Sequence, residues 1–330
     1  MIISKTPFRV SFFGGGTDYP VWYKENGGAV LSTTIDKYCY LTVRYLPPFF
    51  PHKHRIVYSK IEAVNEIKEI LHPAARETLR FLNISKGIEI HHDGDLPART
   101  GMGSSSAFTV GLLNSLYALK GIMVSKEQLA KEAISIERDI LKESVGSQDQ
   151  AAAAYGGFNK ITFEGEDEIK VKPITLAEKR IKELEAHLAL YFTGFSRYAS
   201  KVAATQIEKT PERKKELNRI YQMVDEAINI LSDRKRSILE FGKLLNEAWQ
   251  LKKSLTDKIS TPEIDKIYER ALKAGAIGGK LLGAGGGGFM LLFVPPERQS
   301  KVREKLKNLL EVKFNFEKEG SQIIYYAPEV

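Results

Sequence analysis

From Gly87 to His92 apolar and polar residues alternate, with Ile88 and Ile90 on one face, and a period of two predicts a strand. From Phe108 the period becomes helical. Phe108, Val110, Leu112, Leu113, Leu116, Tyr117 and Leu119 recur, and Gly121 supplies a stop. Between them, from Asp95 to Ala107, lies a glycine- and serine-rich loop that feeds a helix N-terminus. Strands are also predicted over 2–13, 27–31 and 35–44, and a helix over 61–82. A helix begins at Ser125, which forms a capping-box pattern with Gln128. Its apolar arc, from Leu129 through Ala133 and Ile136 to Leu141, is about 160° wide, and Glu137 falls near its middle. Residues 174–185 are charged and helix-prone, and 187–193 read as a strand. Three amphipathic helices follow. The first is striped by Leu217, Ile220, Val224, Ile228 and Leu231. The second is striped by Ile238, Phe241, Leu245, Ala248 and Trp249. The third opens on Thr261 and Pro262 and ends at Gly275. A strand over 289–294, a helix over 297–310 and strands near 312–316 and 322–327 complete the pattern.

Several polar positions interrupt this frame in ways that suggest chemistry. Gly101 and Gly103 permit positive φ and close approach of a ligand to the backbone. The first amides of the following helix have no intrahelical acceptors and sit at the positive end of its dipole, which suits phosphate. A flexible loop with serine caps would carry the same residues. No Gly-x-x-x-x-Gly-Lys-Ser/Thr sequence occurs in the chain, so the nucleotidase P-loop is excluded. Near the N-terminus, Arg9 precedes the turn Gly14-Gly15-Gly16-Thr17-Asp18-Tyr19, which reads either as a hairpin loop or as a ligand-facing turn. The carboxylate of Glu137 on an apolar arc is costly unless paired or bound to a cation. An inward ion pair and a metal ligand both fit it. Asp149 stands ahead of a short alanine-rich helix, as a cap or as a functional acid. A second glycine cluster, 283–288, contains Gly-x-Gly-x-x-Gly, but a strand follows it where a dinucleotide fold requires a helix.

The chain has 330 residues, 43% hydrophobic and 27% charged, enough for one large domain or two. Its single cysteine, Cys39, excludes an internal disulfide framework and suits a reducing compartment. No apolar run approaches the length of a membrane span, and no secretory leader is evident, so a cytoplasmic protein without membrane contact is expected. The net charge of +8 is scattered among acids on helices. Without aromatic platforms or a basic stripe, it argues for anionic small substrates rather than nucleic acid.

The loop from Pro97 to Ser106 resembles the phosphate loop of the GHMP small-molecule kinases, Pro-x-x-x-Gly-Leu-Gly-Ser-Ser. Gly101, Met102, Gly103, Ser104 and Ser105 stand in its places, and Arg99 replaces a common glycine or serine. Gly-Gly-Gly-Thr-Asp-Tyr resembles the sugar-kinase turn but lacks the glutamate of galactokinases. Gly146-Ser147-Gln148-Asp149-Gln150 resembles the galactokinase-like segment whose aspartate faces the acceptor hydroxyl, and the second glycine cluster resembles the third motif of the family. The triple glycine and Tyr155-Gly156-Gly157-Phe158-Asn159 are most similar to those of the heptose 7-phosphate kinases in this family.

The resemblance implies an α+β protein of two domains, a mixed-sheet unit over 1–184 and a ferredoxin-like unit over 185–330. It implies a kinase using ATP and Mg²⁺. Nucleotide contacts would come from Pro97, Thr100, Gly101, Met102, Gly103, Ser104, Ser105 and Ser106, and the metal would be held by Ser105 and Glu137. Asp149 would orient or deprotonate the acceptor hydroxyl, and Arg9 would stabilise transferred charge. Gly15, Gly16, Thr17, Asp18, Arg197 and Gly286 would line the acceptor site. The implied reaction phosphorylates the anomeric hydroxyl of D-glycero-D-manno-heptose 7-phosphate to the 1,7-bisphosphate, on the way to nucleotide-heptose for surface polysaccharide. The protein would be a monomer or homodimer. A kinase for fucose or galactose, or a silent sugar sensor on the same fold, would share most of these features.

Overall fold

The computed structural model describes residues 1–194 and 199–328. Two sheets organise the chain. The first has nine strands. β1 (Ile2–Phe13) lies against β2 (Gly28–Tyr45), and between them runs α1 (Pro20–Asn26). β3 (His54–Val57), β4 (Ile61–Val64), α2 (Pro73–Phe81) and β5 (Ile88–Gly94) follow. After α3 (Ser104–Leu119), α4 (Lys126–Ile134) and α5 (Gln148–Tyr155) come β6 (Phe158–Glu164), β7 (Glu168–Pro173) and α6 (Glu178–Ala186). β3 and β5 are parallel and the other pairings antiparallel, so the sheet is mixed.

The second sheet has four strands. β8 (Leu188–Gly194) leads to α7 (Ala199–Lys209), α8 (Lys214–Ser232), α9 (Leu239–Leu255) and α10 (Pro262–Ala274). β9 (Gly278–Leu281), β10 (Gly288–Phe293), α11 (Gln299–Lys305) and β11 (Leu310–Val312) complete it. Its spatial order β11-β8-β10-β9 is the antiparallel split βαβ arrangement of the ferredoxin-like fold. The α+β class and both sheet types thus agree with expectation.

Two further strands then return to the first sheet. β12 (Phe316–Glu317) pairs with β2, and β13 (Gln322–Tyr326) pairs with β1. Residues 185–330, expected to be a separate unit, therefore contribute to both sheets. Aromatic packing joins the halves: Phe241 on α9 meets Phe12 and Phe13 of β1 edge-on, with centroids 5.5 and 5.1 Å apart. Among the described residues no helix is long and apolar enough to cross a membrane.

Some elements differ from the sequence pattern. The two strands read over 27–44 are one 18-residue strand, β2, which reaches β1, β5, β6 and β12 along its length. The helix expected over 61–82 is β4, a short 3₁₀ turn and then α2, because pairing with β3 claims the first residues. The helix from Ser125 changes character at Ser135. Ser135–Ile140 is π-helical, a rare widening often found at functional sites.

Candidate active site

Pro7 has no N–H to give the β1–β2 ladder, and the register shifts between Pro7 and Arg9. The N–H of Arg9 donates to Met102 O at 3.1 Å. Its buried guanidinium reaches past the strand: Nη1 donates to Gly101 O at 2.6 Å, and Nε and Nη2 fork onto the two oxygens of Asp149 at 2.8 Å each. One side chain thereby ties the 101–102 loop to α5, on whose first turn Asp149 sits. The bidentate geometry holds the Asp149 carboxylate in one orientation. That carboxylate retains about a quarter of its exposure (25%), so a ligand can reach it.

The loop itself is built for close approach. Gly103 is left-handed (φ +74) and caps α3 without a side-chain hydrogen bond. The first intrahelical bond from the cap runs from Ala107 N–H to Gly103 O, which leaves the amides of Ser104, Ser105 and Ser106 ahead of it. The Met102 side chain is buried and anchors the loop. The Thr100 hydroxyl donates back to Pro97 O at 2.7 Å, so it shapes the turn from within. Arg99 is exposed with φ +62, a conformation that accounts for glycine at the corresponding place in resembling loops. The second glycine cluster packs directly beneath. A Cβ on Gly101 would stand 2.3 Å from Leu282 O, and one on Gly288 would stand 2.3 Å from Thr100 O.

Glu137 lies within the π-helical turn and is fully buried. Thr109 Oγ1 donates to Oε1 at 2.7 Å, and Ser106 Oγ and Gln150 Nε2 donate to Oε2 at 2.8 and 2.6 Å. All three donors are neutral, and no cation pairs with Glu137 among the described residues. Burial therefore pushes its pKa up to about 7 despite the hydrogen bonds. The inward ion pair that the sequence left open is not what surrounds it. Ser105, expected beside Glu137, is instead exposed. Ser106, one residue and about 100° further round α3, carries the hydroxyl that meets the carboxylate.

The glycine turn divides its residues between scaffold and surface. Thr17 was expected to face a ligand. Its hydroxyl instead bonds Gly14 O at 2.8 Å and Ala29 O at 3.0 Å and accepts from Ala29 N–H, with no exposure. It pins the turn to β2. Asp18 is buried, and burial raises its pKa. It accepts from Gly16 N–H at 2.9 Å and from Gln148 Nε2 at 3.0 Å, while its carbonyl accepts from Ser147 N–H. A Cβ on Gly146 would lie 1.9 Å from Asp18 Oδ2, so only glycine lets the Asp149 segment cross this carboxylate. Gly286 donates its N–H to Ile259 O at 3.0 Å, which commits that amide to the glycine cluster rather than to a ligand. Arg197 lies outside the described residues.

Four side chains complete the site that sequence reasoning did not place there. Gln148 Oε1 and Gln206 Nε2 are buried without a hydrogen-bond partner among the described residues. They flank the turn: Cβ atoms on Gly15 and Gly16 would stand 4.0 Å from the Gln148 amide nitrogen and 2.6 Å from that of Gln206. A buried orphan acceptor and a buried orphan donor together suit a ligand bearing hydroxyls. Lys252 and Lys280 are also buried. Lys252 Nζ donates to Gly283 O, and Lys280 Nζ donates to Phe12 O at 2.9 Å. Burial, then Arg9, lowers the Lys252 pKa to about 8 against the opposing pull of Asp18 and Asp149. Lys280 is driven down by burial, Lys252 and Arg9, with Asp18 opposing. A signal for Lys252 did exist: it continues the Ala248–Trp249 stripe of α9 at the next helical step, where a lysine is out of place.

An uncapped helix N-terminus beside an Arg-held carboxylate and a buried lone glutamate is an arrangement that suits phosphoryl transfer. The profile of the GHMP kinases N terminal domain matches residues 65–157, and that of the GHMP kinases C terminal matches 213–312. The chain belongs to the GHMP kinases and is an ATP-dependent phosphotransferase that acts on an alcohol group. It is 30% identical to the D-glycero-alpha-D-manno-heptose 7-phosphate kinase of Campylobacter jejuni, over 97% of each chain. The crystal structure of a D-glycero-D-manno-heptose 1-phosphate kinase from Bacteriodes thetaiotaomicron superposes with a TM-score of 0.79 at 26% identity. That match covers 98% of this chain and 99% of the other. The bifunctional fucokinase/GDP-fucose pyrophosphorylase of Arabidopsis thaliana is 25% identical over 92% of this chain and 31% of its own length.

Proposed function

We propose that the protein transfers the γ-phosphoryl group of ATP to the anomeric hydroxyl of D-glycero-D-manno-heptose 7-phosphate, giving the 1,7-bisphosphate for nucleotide-heptose synthesis. The observation that carries this reading is the Arg9–Asp149 fork. It stands between the uncapped N-terminus of α3 and the polar turn at 14–18. Phosphoryl transfer needs positioning and charge neutralisation above all. In this reading the amides of 103–106 bind the ATP phosphates. Asp149 accepts the proton of the attacking hydroxyl, while Arg9 fixes its orientation. Gln148 and Gln206 bond sugar hydroxyls, and the naming of the Campylobacter relative supports heptose 7-phosphate as the acceptor.

The surroundings of Glu137 fit a divalent cation. The carboxylate is buried with three neutral donors and no counter-charge. Among the described residues no cluster of three or more His, Cys, Asp or Glu could hold a metal by itself. Magnesium does not need one, since it takes one or two carboxylates and completes its shell with water and phosphate oxygens. Bound there with ATP, it would neutralise phosphate charge, and Glu137 with the exposed Ser105 hydroxyl would hold it. Glu137→Gln is expected to raise the magnesium needed for half-maximal activity by about tenfold or more. Unchanged magnesium dependence with a lowered melting temperature would instead make Glu137 a purely structural acid.

The substrate is tested by a coupled ADP-release assay across free and phosphorylated heptoses, fucose, galactose and mevalonate. Heptose 7-phosphate is expected to exceed free heptose in kcat/KM by about tenfold or more, the value of one charge-assisted phosphate contact. Equal turnover of the two would remove the phosphorylated acceptor. Preference for fucose would reassign the protein to the fucokinases.

A further inference from the structure

We infer that Lys252 and Lys280 form the recess that recognises the phosphate borne by the acceptor sugar. The inference rests on the reading of a phosphorylated acceptor given above. The two lysines come from α9 and β9, and Lys280 bonds to β1 across the joint between the sheets. They are 7% and 5% exposed, far below what solvated lysines need. Each ammonium has three donors, and each spends one on a main-chain carbonyl, Gly283 O for Lys252 and Phe12 O for Lys280. Neither forms an ion pair with a carboxylate among the described residues. A buried charge left with a single carbonyl is costly, and a structural lysine would ordinarily have a carboxylate or a path to water.

Basic groups outnumber unengaged carboxylates here. Arg9, Lys252 and Lys280 gather at the same place. Asp149 is already forked by Arg9, and Asp18 is satisfied by Gly16 and Gln148. What the group lacks is an anion with several acceptor oxygens. A phosphate monoester, carrying between one and two negative charges at neutral pH, supplies it.

The position favours the acceptor over the nucleotide. Lys280 is bonded to Phe12 O, two residues before the Gly14–Asp18 turn, and Asp18 influences the charge of both amines. Lys252 is bonded to Gly283 O on the underside of the 101–103 loop, whereas the free amides of 104–106 belong to α3. Lys280 is therefore tied to the strand that leads into the Gly14–Asp18 turn, and Lys252 to the segment beneath the 101–103 loop. A second role, bracing the two glycine segments through their carbonyls, would place the same bonds but would not discriminate between sugars.

The test is calorimetric binding of heptose 7-phosphate, free heptose and a non-hydrolysable ATP analogue to the wild-type protein and to Lys252→Met and Lys280→Met. Each variant is expected to lose about ten- to a hundredfold in affinity for the phosphorylated sugar, with free heptose and the nucleotide analogue bound as before. Wild-type preference for the phosphorylated sugar that survives in both variants overturns the inference and leaves the acceptor reading standing. Wild-type indifference to the phosphate overturns both. Equal losses for the two sugars assign the lysines to bracing, and a loss confined to the nucleotide analogue assigns them to ATP; either result overturns the inference. If a methionine variant does not fold, Lys252→Gln and Lys280→Gln, which keep a donor for the two carbonyls, are measured in the same way. Loss of the wild-type preference for heptose 7-phosphate over heptose supports the recess, and a preserved preference in both overturns it.

Discussion

Asp149→Asn is expected to lower kcat by about two orders of magnitude or more, as removal of a general base does, while the ATP analogue binds with unchanged affinity. Asparagine preserves the shape and keeps one oxygen to accept from Arg9. It removes the negative charge and replaces the other acceptor with a donor that faces the guanidinium. One of the two 2.8 Å bonds of the fork is then lost, for a stability cost of about 1.5–3 kcal/mol, since the bond is charge-assisted. That cost should appear as a modest fall in melting temperature with folding still cooperative. The phosphate loop keeps its Arg9 Nη1 bond to Gly101 O, so nucleotide binding is independent of the change. Steady-state turnover and calorimetry on the same preparation separate the two effects. Near wild-type turnover would show that Asp149 only anchors Arg9 and that the acceptor proton leaves by another route.

Gly101→Ala should be the most damaging single methyl group in the phosphate loop. The residue has φ +80, where an L side chain costs about 1–2 kcal/mol. The added Cβ would also stand 2.3 Å from Leu282 O and 3.1 Å from Gly283 Cα. Both obstacles are backbone just past β9, where Leu282 N–H donates to Phe289 O at 2.9 Å, so neither can rotate away as a side chain could. The loop or the second glycine cluster must move. A destabilisation of about 3 kcal/mol or more is expected, with affinity for the ATP analogue reduced by about tenfold or more. Gly121→Ala is the matched control. Its φ is +69, but nothing lies within 4 Å of the new atom, so it bears the backbone strain of about 1 kcal/mol without the collision. Similar losses in the two variants would mean that the two glycine segments do not support each other.

These expectations link the halves of the protein. Arg9 belongs to the first strand, Asp149 to α5, and Lys252, Lys280 and the second glycine cluster to the ferredoxin-like part. The proposed centre lies where the two sheets meet, and the Phe12–Phe241 contact fastens that joint.

Chemistry confined to short range could be read from the residues alone. Ser125 does cap α4, accepting from Gln128 N–H at 3.1 Å, and Thr261 caps α10, followed by Pro262 and ended by left-handed Gly275. The left-handed glycines ahead of α3, the glycine turn and the position of Glu137 on a buried helical face were legible for the same reason. Each depends on backbone conformations or periodicities confined to a few neighbouring residues. Tertiary structure decided the rest. Whether 61–64 is helix or strand depended on β3 being available to pair, and the return of β12 and β13 to the first sheet depended on free ladder positions on β2 and β1. Thr17 became scaffold because Ala29 lay opposite it, and Ser106 rather than Ser105 bonds Glu137 because the buried face of α3 turns that hydroxyl inward. Lys252, Lys280 and Gln206 could not be recruited from pattern alone. They lie more than fifty residues from Asp149 in the chain and farther still from Asp18, and only the packing of α7 on the glycine turn and of α9 and β9 beside β1 brings their polar atoms near it.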